Sequence, residues 1–445
     1  MNRLVALLGD GGAVLAGAVL LAVAAAVPPV WWLLADLPLT AVQQQWEMSE
    51  ILFDATDFVF AALALSLLAR GLPRGRHGRR AVPFFWAWMA LGGLFSVAYV
   101  VAPINAPVLD SPVRVAYQLY RYCWRPLAFY LFAALCIRDR RLLGAWLVTV
   151  LVSAAIFSVP AIAQGYAGEF ASGPFSHKNE LGAALVAPLV LACAGALAGR
   201  PRSLRWGCLA AALLIGRALM FSLSRGAMVA AIAGIAVVAV GLASDRRLRR
   251  VLLALLPLAL VGALVLLAKS DRPVVAELFT ATAGTEDANM QFRMQQRWPH
   301  FTAIILEHPW LGVGDGRDLS LGEEMNTPHN GYLSLALIHG IPAATVVVLF
   351  GVAGMLAGVR LLRTAADPGM RTIGIGLSGA IAALLVHNLV DATLYNAFAS
   401  KLYWMLIAAA LVAVRRPAAF GALAAPVVRR MPRAVLPTAA AEVAS

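Results

Sequence analysis

Stretches of about 20 consecutive apolar residues recur along almost the whole chain, separated by short arginine-rich links. Runs of that length fix the fold class, because lipid offers no partner to an unpaired backbone N–H or C=O. Only helices that close their own hydrogen bonds, or a closed barrel, satisfy that condition, and a barrel would instead read as alternating segments of about 10 residues. Candidate spans lie near 13–34, 51–69, 82–102, 113–137, 142–163, 179–198, 206–222, 226–243, 251–268, 331–359, 372–391 and 402–414. The expected fold is therefore all-α, a polytopic transmembrane bundle of about 12 spans over residues 1–415. Residues 416–445, rich in Ala, Pro and Arg, read as a loosely ordered cytoplasmic tail. With 13% charged residues in 445, no length is left for a separate globular catalytic domain, so chemistry must sit on helix ends and loops. Cys123, Cys136, Cys193 and Cys208 lie in or against apolar runs, which suits neither a disulfide framework nor a zinc cluster.

The net charge of +13 conceals an asymmetry. The first ten residues, the links at 70–80, 138–141, 199–205, 244–250 and 360–371, and the tail from Arg415 together hold 24 arginines against five acidic residues. The remaining spans and loops sum to −6. By the positive-inside rule the basic links face the cytoplasm, both termini with them, and the other loops face outward. The basic balance thus reports topology and is no sign of nucleic-acid binding.

One outward segment, 269–330, is long enough to act as a functional loop. MQFRMQQRW sets Met290, Arg293 and Arg297 on one helical face beside Trp298; Pro299 opens a second short helix that His308-Pro309 stops, and LGVGDG follows as a glycine-rich turn. No strand pattern stands out.

Nine arginines fall outside the cytoplasmic links: Arg114, Arg121, Arg125, Arg217, Arg225, Arg272, Arg293, Arg297 and Arg317. An arginine at bilayer depth costs at least about 2.5–3.5 kcal/mol on insertion scales, so each needs a partner or an anionic ligand. Arg114, Arg121 and Arg125 share a face with Gln118, and internal pairing with Asp54 and Asp57 is the favoured account of Arg121 and Arg125. Arg225, in FSLSRGAMVA, stands at a turn where the next helix begins, ground that suits a phosphate as well as a snorkelling cap. His329, in TPHNGYLSL with Asn330 beside it, lies where a span begins; an imidazole there suits proton abstraction from a hydroxyl, or a plain capping role. HExxH, a tight outward acidic pair, a GxSxG elbow, a Walker loop and a dinucleotide fingerprint are all missing, so metal-held diphosphate chemistry and ATP-driven chemistry are not expected.

Five segments in order, GPFSHKNELGAAL, FSLSRGAMVA, RWPHFTAIILEHPWLGVGDG, TPHNGYLSLALIHGIPA and HNLVDATLYN, resemble the O-antigen ligase and polymerase superfamily of polytopic bacterial glycosyltransferases. The resemblance covers roughly residues 150–400. It implies a GT-C-like helical bundle in the bacterial inner membrane. The activity implied is transfer of a glycan from undecaprenyl diphosphate to an acceptor hydroxyl at the periplasmic face, without metal or other cofactor. The acceptor would be the sugar core of lipid A in the ligase branch, which is preferred, a second carrier-linked unit in the polymerase branch, or a protein serine. The family's arginine after serine corresponds to Arg225, its loop arginine before tryptophan to Arg297, and its HN histidine to His329. Arg225 and Arg297 would clamp the diphosphate with Arg293 helping, and His329 would take the acceptor's proton. His177, Asn179, Asn330 and His387 are candidate substrate contacts, with Asn388 and Asp391 near the same mouth; packing or capping is as good an account of them. A transporter or flippase for an anionic lipid-linked glycan is the competing class, and the chain shows no internal repeat in its favour.

Overall fold

The computed structural model describes residues 23, 26–39, 46–48, 51–53, 55–70, 82–105, 112–168, 170–198, 201–243, 292–314 and 328–420. The expected span 251–268, most of 13–34, the tail from 421, and the loop outside 292–314 and 328–330 lie beyond them. The helices are α1 (Pro29–Leu39), α2 (Ala55–Ala69), α3 (Phe85–Asn105), α4 (Pro112–Gln118), α5 (Arg125–Cys136), α6 (Arg140–Ala167), α7 (Lys178–Ala198), α8 (Arg202–Ser222), α9 (Arg225–Leu242), α10 (Trp298–Glu307), α11 (Gly331–Thr364), α12 (Pro368–His387) and α13 (Ala397–Arg415). Seven of them, α6 to α9 and α11 to α13, are long and apolar enough to cross a membrane, and α2 and α3 carry shorter apolar stretches.

Three sequence expectations need correction. A two-stranded antiparallel hairpin pairs Trp46–Met48 with Ile51–Phe53, where no strand was expected. The span expected over 372–391 is helical only to His387, and 388–391 form a turn that matters below. The single span expected over 113–137 is interrupted by a π-turn, Leu119–Trp124. Pro126 explains the interruption: it has no N–H to give the preceding turn, and the Arg125 N–H reaches Tyr120 O, five residues back.

The membrane character follows from where apolar surface remains. α13 is almost wholly enclosed, whereas α8 and α9 leave Trp206, Leu213, Ile232 and Val240 exposed. In water such a rim would drive association; in lipid it costs nothing. α9 and α12 approach closely because Gly234 and Gly379 face each other, each with its own alpha carbon where a side chain would strike the other's carbonyl.

Three of the stray arginines have partners among the described residues. Arg125 is buried, with Nη1 at 2.6 Å from Asp57 Oδ1 and 3.2 Å from Thr56 Oγ1, which bears out the expected pairing. Arg121 lies 5.9 Å from the rings of both Tyr117 and Tyr122, and Arg217 lies 4.0 Å from the Phe221 ring.

Antiparallel packing sorts the two ends of the bundle. Thr372 Oγ1 donates to Ala198 O at 3.2 Å, which sets the start of α12 beside the end of α7, and Arg140 Nη2 contacts Asp367 Oδ2 at 3.1 Å. The described arginine-bearing links 138–141 and 360–371 therefore meet at one end. The starts of α7, α9 and α11 and the finish of α12 lie at the other.

A break in α11 anchors the loop segment. Gly340 has φ 83° and ψ 163°, and Pro342 lacks the N–H that would otherwise bond Ile338 O. The carbonyls so released are taken by the glycine-rich turn: Val313 N donates to Leu337 O at 2.7 Å and Gly314 N to Ile338 O at 3.1 Å, while Ile341 N donates to Pro309 O at 2.8 Å. Any side chain at position 340 would strike the Trp310 carbonyl. Gly340→Ala is therefore expected to cost at least about 1–3 kcal/mol and to free 308–314, read as protease sensitivity of that segment in detergent.

Candidate functional site

Four pieces of chain far apart in sequence meet at the end of the bundle opposite the described basic links. The first is the turn between α8 and α9. Leu223 adopts φ 52°, unfavourable for a bulky side chain, which lets the chain reverse in two residues. Ser222 Oγ accepts from Ser224 N at 3.2 Å and donates to Leu219 O at 2.7 Å, so the hydroxyl stabilises the turn. Arg225 then takes the first position of α9 and is half-buried, at the positive end of that helix. A side chain at the next residue, Gly226, would collide with Val390 and touch His387.

The second piece is a π-turn, Arg293–Arg297, leading into α10. Its cause is again a proline: Trp298 N bonds Arg293 O, and Pro299 follows with nothing to donate. Arg293 Nη1 donates to Val390 O at 3.4 Å. Arg297 is only 7% exposed, its guanidinium 5.4 Å from the Phe292 ring. Trp298 Nε1 donates to Pro328 O at 2.9 Å and so ties this segment to the residue preceding His329.

The third and fourth pieces, 328–332 and 387–396, are bound to each other. Asn330 Oδ1 caps α11 by accepting from Tyr332 N and Leu333 N, at 3.0 and 3.1 Å, and its Nδ2 donates to Leu389 O at 2.9 Å. Gly331 N donates to Asn388 O at 2.7 Å, and Tyr332 Oη donates to Leu385 O at 2.6 Å. His387 is buried, its Nδ1 at 2.7 Å from Thr393 Oγ1. Between these anchors His329 is held at φ 47°. That conformation is unfavourable for a residue with a side chain, and the hydrogen bonds on both sides maintain it.

His329 Nδ1 lies 3.9 Å from Asp391 Oδ1, an electrostatic contact rather than a direct hydrogen bond. Burial by itself would raise the Asp391 carboxyl, but His329, His387 and the Ala392 N–H, which donates at 2.9 Å, together hold it below the usual carboxylate range. Asp391 thus remains a carboxylate at neutral pH.

His329 and Asp391 line a cavity of about 320 Å³ with His177, Asn179, Glu180, Ala183, Ala392, Thr393, Tyr395 and Asn396. Of the residues singled out from sequence, His177, Asn179, His329 and Asp391 reach this cavity. Asn330 and His387 support its walls from behind through the bonds just given. Arg225, Arg293 and Arg297 are not among its lining; Arg225 and Arg293 are held against the 388–391 turn, through Gly226 and the Val390 carbonyl, and the Arg297 segment is tied through Trp298 to Pro328. Sequence reasoning passed over Glu180, Thr393, Tyr395 and Asn396. The only signal for them was that KNE and TLYN are polar clusters at the ends of apolar runs. Among the described residues no three His, Cys, Asp or Glu side chains gather as a metal site would need.

Fold and site define a polytopic helical membrane protein with a polar cavity at the ends of its spans, flanked by cationic segments. Residues 210–348, from α8 into α11, match a family model described as O-antigen ligase. The match contains Arg225, Arg297 and His329, agrees with the superfamily resemblance of the motifs, and supports a ligase- or polymerase-type function. The motifs at 173–185 and 387–396 lie outside it, and the fold brings both to the cavity. No curated protein matches the chain.

Proposed function

We propose that the protein is a metal-independent, inverting glycosyltransferase of the O-antigen ligase type. It moves a glycan from undecaprenyl diphosphate to a sugar hydroxyl of lipid A core at the periplasmic face of the inner membrane. The observation that carries this reading is the strained His329, set against Asp391 on a polar cavity wall to which both arginine-bearing turns are tied. The acceptor hydroxyl attacks the anomeric carbon as the bond from that carbon to the diphosphate oxygen breaks, and the acceptor's proton passes to His329. The imidazolium that forms gains from the carboxylate beside it. Negative charge grows on the diphosphate, and Arg225, Arg297 and Arg293 are the fixed cations that meet it. Attack from the face opposite the leaving group inverts the anomeric centre. The described basic links at the far end of the bundle support a periplasmic cavity under the positive-inside rule.

The test is purified protein in detergent with a carrier-linked glycan and either lipid A core or a second carrier-linked unit. Glycan on lipid A core is the expected product; product on the second unit would reassign the protein to polymerisation, and labelled carrier crossing a vesicle membrane without either product would replace transfer by transport. His329→Ala is expected to lower turnover by about 10²–10⁴-fold while donor binding persists. Normal turnover in a folded His329→Ala protein would remove its role.

A further inference from the structure

The charge of the cavity differs from that of the segments around it. Among the described residues its lining carries two carboxylates, Glu180 and Asp391, with two histidines and neither lysine nor arginine, while Arg225, Arg293 and Arg297 lie outside it. A diphosphate would be repelled there, so this space serves another part of the substrates. We infer that the cavity is a sugar subsite that selects an uncharged or amine-bearing ring and rejects a uronate or phosphorylated one; the inference rests on the transferase reading above.

The donors and acceptors suit a hydroxylated ring. Glu180 Oε2 is fixed by Ser176, whose N and Oγ donate to it at 3.2 and 2.8 Å, and no hydrogen bond from the described residues occupies Oε1. His177 Nδ1 accepts from Asn179 N at 3.2 Å, so the neutral ring carries its proton on Nε2 as a donor. The Asn179 carboxamide makes no hydrogen bond to a described residue and supplies one donor group and one acceptor. Tyr395, Ala183 and Ala392 provide apolar surface for the C–H face of a ring. At about 320 Å³ the space is at the lower end of the range of roughly 300–1,000 Å³ for small-molecule sites, the scale of a sugar rather than of a carrier lipid. Glu180 and Asp391 then act by exclusion as much as by attraction, since a sugar carboxylate entering between them would meet like charge in a confined site.

The ring can belong to the donor glycan or to the acceptor, and the experiment separates the two. Full-length protein is given matched substrates in which a single hexose is replaced by its uronate, first at the reducing end of the donor and then at the acceptor terminus. Wild-type protein is expected to prefer the neutral member of one pair by at least ~10-fold in kcat/KM, and that pair names the ring that occupies the cavity. Glu180→Gln keeps the size and the Ser176 contact and is expected to reduce that preference several-fold, chiefly by lowering KM for the uronate. Equal use of both members of both pairs, or an undiminished preference in a folded Glu180→Gln protein, overturns the subsite. Binding of free methyl hexoside and methyl uronoside, followed by saturation-transfer NMR, distinguishes the two readings. A neutral preference that Glu180→Gln weakens, in a protein that transfers nothing, upholds the subsite and removes the transferase; binding of neither glycoside, or of both alike, removes the subsite.

Discussion

Replacing Arg297 by alanine is expected to lower glycan transfer by about 10²–10³-fold, and Arg225→Ala by a similar factor, in proteins that remain folded in detergent. A cation that acts on developing charge is worth most where water is excluded, and Arg297 is 7% exposed. Lysine should not restore it. A guanidinium presents two parallel N–H groups to a phosphate, whereas an ammonium is a strongly hydrated point charge. At position 297 lysine would also lose the stacking with Phe292, whose ring lies 5.4 Å from the guanidinium. Initial rates with saturating donor, together with donor affinity, are the measurement. Arg297→Lys at near wild-type rate would mean that charge alone suffices, and unchanged rates in Arg225→Ala would return that residue to a cap on α9. The effect should appear in kcat more than in donor affinity, because the diphosphate gains charge only as the bond breaks.

The same residues show what could be read from sequence. The expected spans 142–163, 179–198, 206–222, 226–243 and 331–359 match α6, α7, α8, α9 and α11 to within a few residues, because a run of about 20 apolar residues has few alternatives in lipid. Arg225 and His329 stood out as polar residues next to such runs, and Arg297 through the helical spacing of the long loop and the motif resemblance. Their surroundings were not legible. The two π-turns come from Pro126 and Pro299, whose effect falls on the preceding residues. Residues 388–391 look as apolar as a helix end, and only their bonds to 330 and 331 show why the helix stops at His387. Glu180, Tyr395 and Asn396 resemble ordinary residues at span ends, and Asn396 does cap α13 through Phe398 N and Ala399 N. Its second position, on the cavity wall, depends on α7 packing from more than 200 residues away.

Lys401 passed unnoticed for the same reason, and the largest stability effect is expected there. It lies in α13 with Nζ 2.7 Å from Asp36 Oδ2, both side chains wholly buried, and 5.3 Å from the Phe129 ring. The partners are 365 residues apart, so no local pattern betrays the pair. Lys401→Met leaves the Asp36 carboxylate buried without its counter-charge and is expected to cost about 3–5 kcal/mol; Asp36→Leu should cost about as much. The double replacement Asp36→Leu with Lys401→Met removes both charges and should recover most of the loss, so the two changes are strongly non-additive. Thermal unfolding in detergent, compared across the four proteins, reads the cycle. Single variants that melt with the parent would show that the pair carries no stability, and a double variant as weak as the sum would show that packing, not charge, is lost. Lys401 follows Asn396 by little more than one helical turn in α13, so the pair joins α1 to the element that forms one wall of the cavity. Transfer activity per folded molecule should accordingly fall in each single variant and return in the double one, because the wall needs α1 in place and not the charges that hold it.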